Sequence, residues 1–320
     1  MTYIDYKIGV NKFSVAIVTR NRASLLINAI ESLNRQSVSP YEVLVVDNAS
    51  TDNTRNIIDK IDIRFPLKYI FCEELGVNAA RNAAIANSTG DIIAFIDDDA
   101  EADPNWLEKL LGAFRKYDDA AAVVGVKENM FPSNFAAALM QFTMRSLSIA
   151  RDRVGDIVLS PTIVDSCNLA FKRQLIIDNG IFFDNTFIGG GDRHFGHQLF
   201  RLNLKIYFCE TAIVYHCWPK SLSKYFRMRC WSGMIKAALR ANLGENDFSM
   251  STIRWGPLEV ASLAWKNVLH FPFIHRVIFL MLVGLGQICN KIGYLSTIKK
   301  IDNHKRLGKS INQKSILYGD

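Results

Sequence analysis

Short apolar runs alternate with helical periods over the first part of the chain. Phe13 to Val18 is rich in β-branched residues, the mark of a buried strand, and it runs into the polar stretch Thr19, Arg20, Asn21 and Arg22. Apolar positions then recur at helical spacing at Leu25, Leu26, Ala29, Ile30 and Leu33. The same sequence of signals repeats with a strand at Val43 to Val46, a polar turn at Asp47 to Ser50, and a helical face at Ile57, Ile58 and Ile61 capped by Ser50 or Thr51. A third strand around Leu67 to Phe71 leads to a helix near Asn78 to Ala86, and a fourth at Ile92 to Ile96 runs straight into Asp97, Asp98 and Asp99. Asp103 then caps a helix with Pro104 at its first position and Trp106, Leu107, Leu110, Leu111 and Phe114 on one face. Strands alternating with helices at this spacing predict an α/β fold, Rossmann-like, with a mostly parallel central sheet flanked by helices.

In sheets of that kind ligands sit at the carboxyl ends of the strands. Thr19 to Arg22, Asp47 to Ser50 and Asp97 to Asp99 all fall there, so three polar turns are expected to converge on one crevice. Three adjacent carboxylates repel one another, and an acidic cluster at the end of a buried strand is costly without a cation. Side chains alternate along an extended backbone, so Asp97 and Asp99 should share one side unless the chain turns there. Such a pair is half of a site for magnesium or manganese, which take their remaining ligands from water and substrate phosphates. A solvated acidic turn is the plain alternative. No glycine stands in the first strand-to-helix turn and no G-x-x-x-x-G-K-[ST] loop exists, which argues against a dinucleotide fold or a P-loop. Arg81, one turn into its helix, is then the available side-chain cation for a phosphate, or else a surface arginine.

After Val126 the pattern changes. Ala136 to Ile149 reads as an amphipathic helix, and Cys167 to Phe171 as a strand. Gly189, Gly190 and Gly191 form a turn from which Asp192 opens a helix carrying Phe195, Leu199 and Leu202. A carboxylate behind three glycines can be approached closely by a ligand, and it can equally cap the helix. His194 and His197 stand three apart without a third ligand, so they read as a polar face. His216 ends the apolar run Ala212 to Tyr215 and either reaches the crevice or is a hydrogen-bonded core histidine.

Composition narrows the class. The chain has 320 residues, 49% hydrophobic and 22% charged, as expected of a globular protein with one large domain or two smaller ones. The net charge of +7 is concentrated toward the C-terminus and not in a stripe with interleaved aromatics, which speaks against nucleic acid. Six cysteines include no C-x-x-C pair, which fits reduced thiols in a cytoplasmic compartment. The polar start at Thr2, Tyr3, Asp5 and Lys7 lacks the order of a signal peptide. The uncharged run Val277 to Asn290 is shorter than a membrane span needs, roughly 20 residues. Seven Lys or Arg against one Asp follow between Lys291 and Lys314, which suggests either contact with an anionic membrane surface or a buried helix with a solvated tail.

These motifs, in order, resemble the family 2 inverting glycosyltransferases with the GT-A fold: Val15 to Arg22, Glu42 to Thr54, Gly76 to Gly90, Asp91 to Trp106 and Asn168 to Leu199. The resemblance implies a nucleotide-sugar donor, of UDP type, and a carbohydrate or glycolipid acceptor. It implies Thr19 and Asp47 beside the nucleoside, with Asp47 reading the base and Asn21 also on the donor side, and Arg81 near the diphosphate. Asp97 to Asp99 match the D-x-D motif, with Asp99 the direct metal ligand and Asp97 or Asp98 reaching the ribose or donor sugar. Asp97 and His216 are further ligand candidates for Mn2+ or Mg2+. In the acceptor-side motif Gly191 stands where the family has Glu, while Asp192 keeps the position of the general base. The organisation implied is a donor half over residues 1–126, an acceptor half of the same domain over 127–220, and a helical basic extension over 221–320. The rival readings are a nucleotidyltransferase of sugar phosphates, which would want a glycine-rich basic first turn, and a non-catalytic binding module.

Overall fold

A computed structural model of the chain describes residues 12–146, 153–243 and 257–306. The polar N-terminal stretch from Thr2 to Lys7, the end of the expected 136–149 helix and the tail holding Lys309 and Lys314 lie outside the described residues. The chain forms two units, one of Met1–Val126, Asp165–Phe183 and Arg201–Tyr215, the other of Lys127–Val164, Asp184–Phe200 and His216–Asp320.

The first unit carries the sheet that the alternating pattern predicts. Strands β1 (Phe13–Thr19), β2 (Glu42–Asp47), β3 (Leu67–Phe71) and β4 (Ile92–Asp97) are joined by helices α1 (Ala23–Asn34), α2 (Thr54–Ile58) and α3 (Val77–Asn87). All four strands are parallel, in the order β3-β2-β1-β4. The register pairs Thr19 with Asp47 and Val18 with Asp97, so the three polar turns leave the sheet from one edge. A short strand β5 (Ala100–Ala102), α4 (Trp106–Lys116) and β6 (Ala120–Asn129) follow. Strand β9 (Asn168–Lys172) inserts antiparallel between β4 and β6, and β10 (Lys205–His216) lies beyond β6 with β5 on it. Helix α6 (Arg173–Asp178) follows β9. The inner residues of the sheet strands and the faces Leu26, Ala29, Ile30 of α1 and Trp106, Leu107, Leu110 of α4 form one dry core.

Asn168 joins the antiparallel strands to that core. Its side chain is fully buried, accepts from the Trp106 indole N–H at 2.9 Å, and donates to the Val126 and Ala212 carbonyls at 2.8 and 2.9 Å. Gly125 has to be glycine, because a methyl group there would run into the Asn168 amide and the Ala212 carbonyl.

Several local expectations change. Neither Ser50 nor Thr51 caps α2. Asp52 accepts from the Thr54 amide at 3.0 Å, and Ser50 donates its own amide to Asp47 at 2.8 Å. Asp103 does not cap α4 in the ordinary way: it accepts from the Asn105 amide at 3.0 Å two residues on, and Pro104 precedes the helix.

The second unit is mostly helical. Helix α5 (Phe135–Gln141), capped by Asn134, runs into a wider turn at Phe142–Ser146, and β7 (Arg153–Val154) pairs with β8 (Ile157–Val158). Helix α7 (Gly191–Arg201) buries Phe195 and Leu199, but Leu202 falls past its end and is exposed. His197 is buried, not on a polar face, and the His194 ring packs on Phe187 at 4.7 Å. Helices α8 (Leu222–Leu243), α9 (Pro257–Asn267) and α10 (Phe273–Arg306) complete the unit. Phe142, Trp218, Tyr225 and Phe279 lie in their common core. The expectation of a segment too short to span a membrane is overturned: Arg276 and Lys291 bound the uncharged run, but the helix continues past both, and Phe273–Asn303 is long and apolar enough to cross a bilayer by length and composition.

Candidate active site

The site is built where β1, β2 and β4 end. Two of the three turns contain a non-glycine residue in the left-handed region, Asn21 at φ 55° and Ala49 at φ 54°. Asparagine tolerates that conformation, whereas alanine gains nothing local from it, so surrounding contacts hold Ala49 there. The contacts are present. The Asn21 amide donates to the Ser50 hydroxyl at 2.9 Å, the Asn21 side-chain oxygen accepts from the Thr51 amide at 2.7 Å, and the Asn48 amide donates to the Thr19 carbonyl at 2.9 Å. The first two turns are stitched together before any ligand arrives.

Asp47 is buried and anchored on both oxygens, accepting from the Ser50 amide at 2.8 Å and from the Tyr69 hydroxyl at 2.7 Å. Burial, with Asp47 as acceptor, pushes the Tyr69 hydroxyl up to about 12, so it stays a donor at neutral pH. Asn48 holds the loop before α3, donating to the carbonyls of Cys72 and Glu74 and accepting from the Gly76 amide at 2.8 Å. Gly76 has φ 136°, open to glycine and strained for other residues, and it launches the helix that presents Arg81. Arg81 donates to the Asn78 side chain at 3.2 Å and lies over the Phe183 ring at 5.3 Å.

The acidic triplet turns instead of alternating. Strand β4 ends at Asp97, and Asp98 and Asp99 form the turn into β5. Asp98 is buried and accepts from the Thr19 hydroxyl at 2.8 Å, while Asp97 and Asp99 are half-buried. One Arg22 nitrogen donates to both Asp98 and Asp99, each at 3.0 Å. Burial pushes the Asp98 carboxyl up to about 6 against the pull of Arg22 and Thr19. Burial alone would lower the Arg22 guanidinium, but Asp98 and Asp99 more than offset that and raise it. The Asp97 carboxylate and the thiol of buried Cys167 lie within 4.8 Å of each other.

Thr19, Asn21, Asp47, Asp98 and Asp99 therefore belong to one hydrogen-bonded set. Arg22, Asn48 and Ser50 lie in the turns that sequence places at the strand ends but carry no individual site role there, and nothing in the sequence signals Tyr69. Arg22 could have been found from its position in the first turn, opposite three carboxylates; the partners of the other three depend on strand register. Replacing Arg22 by Gln should lower stability of the metal-free protein by about 1–2 kcal/mol, because the buried Asp98 loses its charged partner. An unchanged urea midpoint would show that the bridge contributes nothing.

Two candidates belong to the second unit. Asp192 lies in the first turn of α7, half-buried, with its Oδ1 accepting from the Arg193 amide at 2.9 Å. The preceding turn is close-packed: a methyl group at Gly189 or Gly190 would meet Ile235 or Leu239 of α8. Those two side chains and Phe187 form a small apolar cluster. His216 closes β10, is buried, and packs its ring on Trp218 at 4.5 Å. Burial holds the imidazole of His194, two residues after Asp192, below its ordinary value against the pull of Asp184.

A mostly parallel sheet flanked by helices, with polar and acidic turns at the strand ends and a helical C-terminal region, defines a GT-A type fold. The chain belongs to glycosyl transferase family 2, whose model matches residues 14–180, just over half its length. It is 35% identical over 125 residues to validoxylamine A glucosyltransferase of Streptomyces hygroscopicus subsp. limoneus, covering 38% of this chain and 28% of that one. It is 29% identical over 222 residues to the glycosyltransferase AglE of Haloferax volcanii, covering 67% and 71%. The match thus spans under a third of the length of the first of these relatives. Among solved structures, the mannosyltransferase PcManGT of Pyrobaculum calidifontis, in complex with GDP-Man and Mn2+, superposes with a TM-score of 0.58 at 20% identity, over 89% of this chain and 87% of that one. S. aureus TarS 1-349 in complex with UDP-GlcNAc gives 0.55 at 16% identity, over 93% and 92%. At such identities the likeness speaks for the fold.

Proposed function

We propose that the chain transfers a sugar from a nucleotide-diphosphate donor, of UDP type, to a hydroxyl of a carbohydrate or glycolipid acceptor, with inversion. The observation that carries this reading is the acidic turn Asp97 to Asp99 held, through Thr19 and Arg22, beside the Asp47 turn at one sheet edge. Within it, Thr19, Asn21 and Asp47 bind the nucleoside end, and Asp47 is stiffened for that task by Ser50 and Tyr69. Arg81, on the helix opened by Gly76, binds the diphosphate. Residues 1–126 thus supply the donor half, 127–220 the acceptor side, and 221–320 an extension working at the cytoplasmic face of a membrane.

The carboxylates fit a hard divalent cation, Mn2+ or Mg2+. The fit rests on Arg22: a guanidinium already lies across Asp98 and Asp99, so the turn is built to hold positive charge. Asp99, with Asp97, would hold the ion, which would supply charge neutralisation on the leaving diphosphate. The acceptor oxygen forms its bond to the anomeric carbon as the bond from that carbon to the diphosphate oxygen breaks. Asp192 takes the hydroxyl proton late in the displacement, because a carboxylate is too weak a base to ionise an alcohol beforehand. A nucleotidyltransferase is disfavoured by the first turn, Thr19 to Arg22, which lacks the glycine-rich form that reaction wants.

Replacing Asp99 by Asn tests the reading. Calorimetric binding of UDP with Mn2+ present should weaken by about tenfold or more, with the melting temperature retained. Equal affinities would remove Asp99 from the donor site, and a panel of nucleotide sugars screened for metal-dependent hydrolysis would identify the donor.

A further inference from the structure

Helix α10 carries two apolar faces, and one is uncovered among the described residues. Phe279, Val283, Gly286, Gly293, Thr297 and Ile301 are buried. The opposite edge exposes Ile278, Met281, Leu285, Ile288, Ile292 and Leu295, from 41% to 64% of each residue. The steps between these six are three, four, three, four and three residues, so they form one straight stripe. With Ile274 before it, also exposed, the stripe is roughly 30 Å long. Along the same uncharged stretch the other exposed positions are Gly284, which has no side chain, and the polar Gln287. An apolar strip of this length is not a chance surface feature of a soluble helix.

We infer that this stripe of α10 docks in the plane of an anionic membrane surface, sinking its apolar side chains at the headgroup boundary while the basic end of the helix engages acidic lipid. Two observations choose this occupant. The first is charge. From Lys291 to Lys314 the sequence holds seven Lys or Arg and a single Asp, so the stripe leads into positive charge that complements an acidic leaflet. A second copy of α10 packed parallel would bring the same positive charge alongside, with almost no acidic side chain to offset it.

The second observation is how α10 is held, which selects lying on the membrane over crossing it. A methyl group at Gly233 of α8 would collide with the Asn290 carbonyl of α10, and one at Gly293 with the Cys230 carbonyl of α8, so the two backbones touch at both places. Polar bonds join them as well. Asn290 donates to the Arg229 carbonyl at 3.1 Å, Arg229 donates to the Gln287 side chain at 3.1 Å, and Arg240 donates to the Tyr294 hydroxyl at 3.0 Å. Helix α8 carries Lys224, Arg227, Lys236 and Arg240, and the first two are exposed. A spanning α10 would draw those charges into hydrocarbon, whereas an in-plane α10 leaves them in water or at headgroups.

The test uses the full chain and sedimentation with vesicles of phosphatidylcholine alone or mixed with phosphatidylglycerol. The protein should sediment with the mixed vesicles at low salt and leave them at high salt. The triple variant Met281→Gln, Leu285→Gln, Ile288→Gln should bind the mixed vesicles about tenfold more weakly or worse, at an unchanged melting temperature. These side chains are exposed, so folding should tolerate the change; if the triple variant melts early, Leu285→Gln alone gives the same comparison. The variant Lys291→Gln, Lys299→Gln, Lys300→Gln should lose the preference for phosphatidylglycerol. A parent protein that ignores mixed vesicles at low salt, or a well-folded apolar variant that binds as the parent does, overturns the inference. So does a dimer in analytical ultracentrifugation that the apolar variant dissociates without any vesicle binding. Because UDP binding in the same preparations reports on the donor site, failure here is distinguishable from failure of the proposed chemistry.

Discussion

Asp192→Asn should cut transfer about 100-fold or more while UDP affinity and melting temperature stay close to those of the parent. The size follows from the loss of a general base, and the specificity of the prediction follows from the exchange itself. Asparagine occupies the same volume, caps a helix about as well, and can still accept the Arg193 amide bond that Asp192 Oδ1 accepts now. A purely capping role therefore predicts a silent variant in all three measurements. Asp184 is the next residue to test if turnover survives, although its Oδ1 already accepts from both the amide and the hydroxyl of Thr186. The packed turn behind Asp192 offers a control. Gly190, at φ 76° against Leu239, positions the start of α7, so Gly190→Ala should lower stability, which Asp192→Asn should not.

Asn168→Ala should destabilise the protein by about 3–5 kcal/mol, the largest stability effect expected of any single change considered. Three groups lose their partner at once: the buried Trp106 indole N–H and Ala212 carbonyl, and the half-buried Val126 carbonyl. The Trp106 and Ala212 groups cannot reach water without opening the core, so they bear the desolvation cost, and the sum is limited by local relaxation. Asn168→Asp is the sharper comparison. It keeps the acceptor for Trp106 but replaces the amide donor by a carboxylate facing two carbonyls, and it should be no better tolerated. Denaturant titration of both variants checks this, and a loss below about 1 kcal/mol would show that the amide is not the joint described above.

Pattern alone reached far into the first unit. The apolar runs at Phe13, Val43 and Ile92 are buried strands because burial on both faces demands continuous apolar sequence, whereas Leu67–Phe71 is the half-exposed edge strand, and the parallel order follows from the helices between them. The caps were less legible. Ser50, Thr51 and Asp103 are residue types that suit several turns equally, and which partner each meets depends on geometry not encoded in spacing. The acidic triplet was readable as chemistry but not as shape. Alternation holds only while the strand continues, and β4 stops at Asp97.

By itself the sequence determined the parallel core, the placement of Thr19, Asp47 and Asp97 at strand ends, and a carboxylate at Asp192 behind a glycine turn, because periodicity and residue type are local quantities. The antiparallel insertion of β9, the Asn168 joint, the Arg22 bridge across Asp98 and Asp99, and the Tyr69 bond to Asp47 were decided only in three dimensions. Each joins residues that are tens of positions apart, and register and packing choose such partners. Helix α10 shows the same division. Composition made it apolar with a basic end, but which of its faces is covered was settled by the glycine contacts with α8.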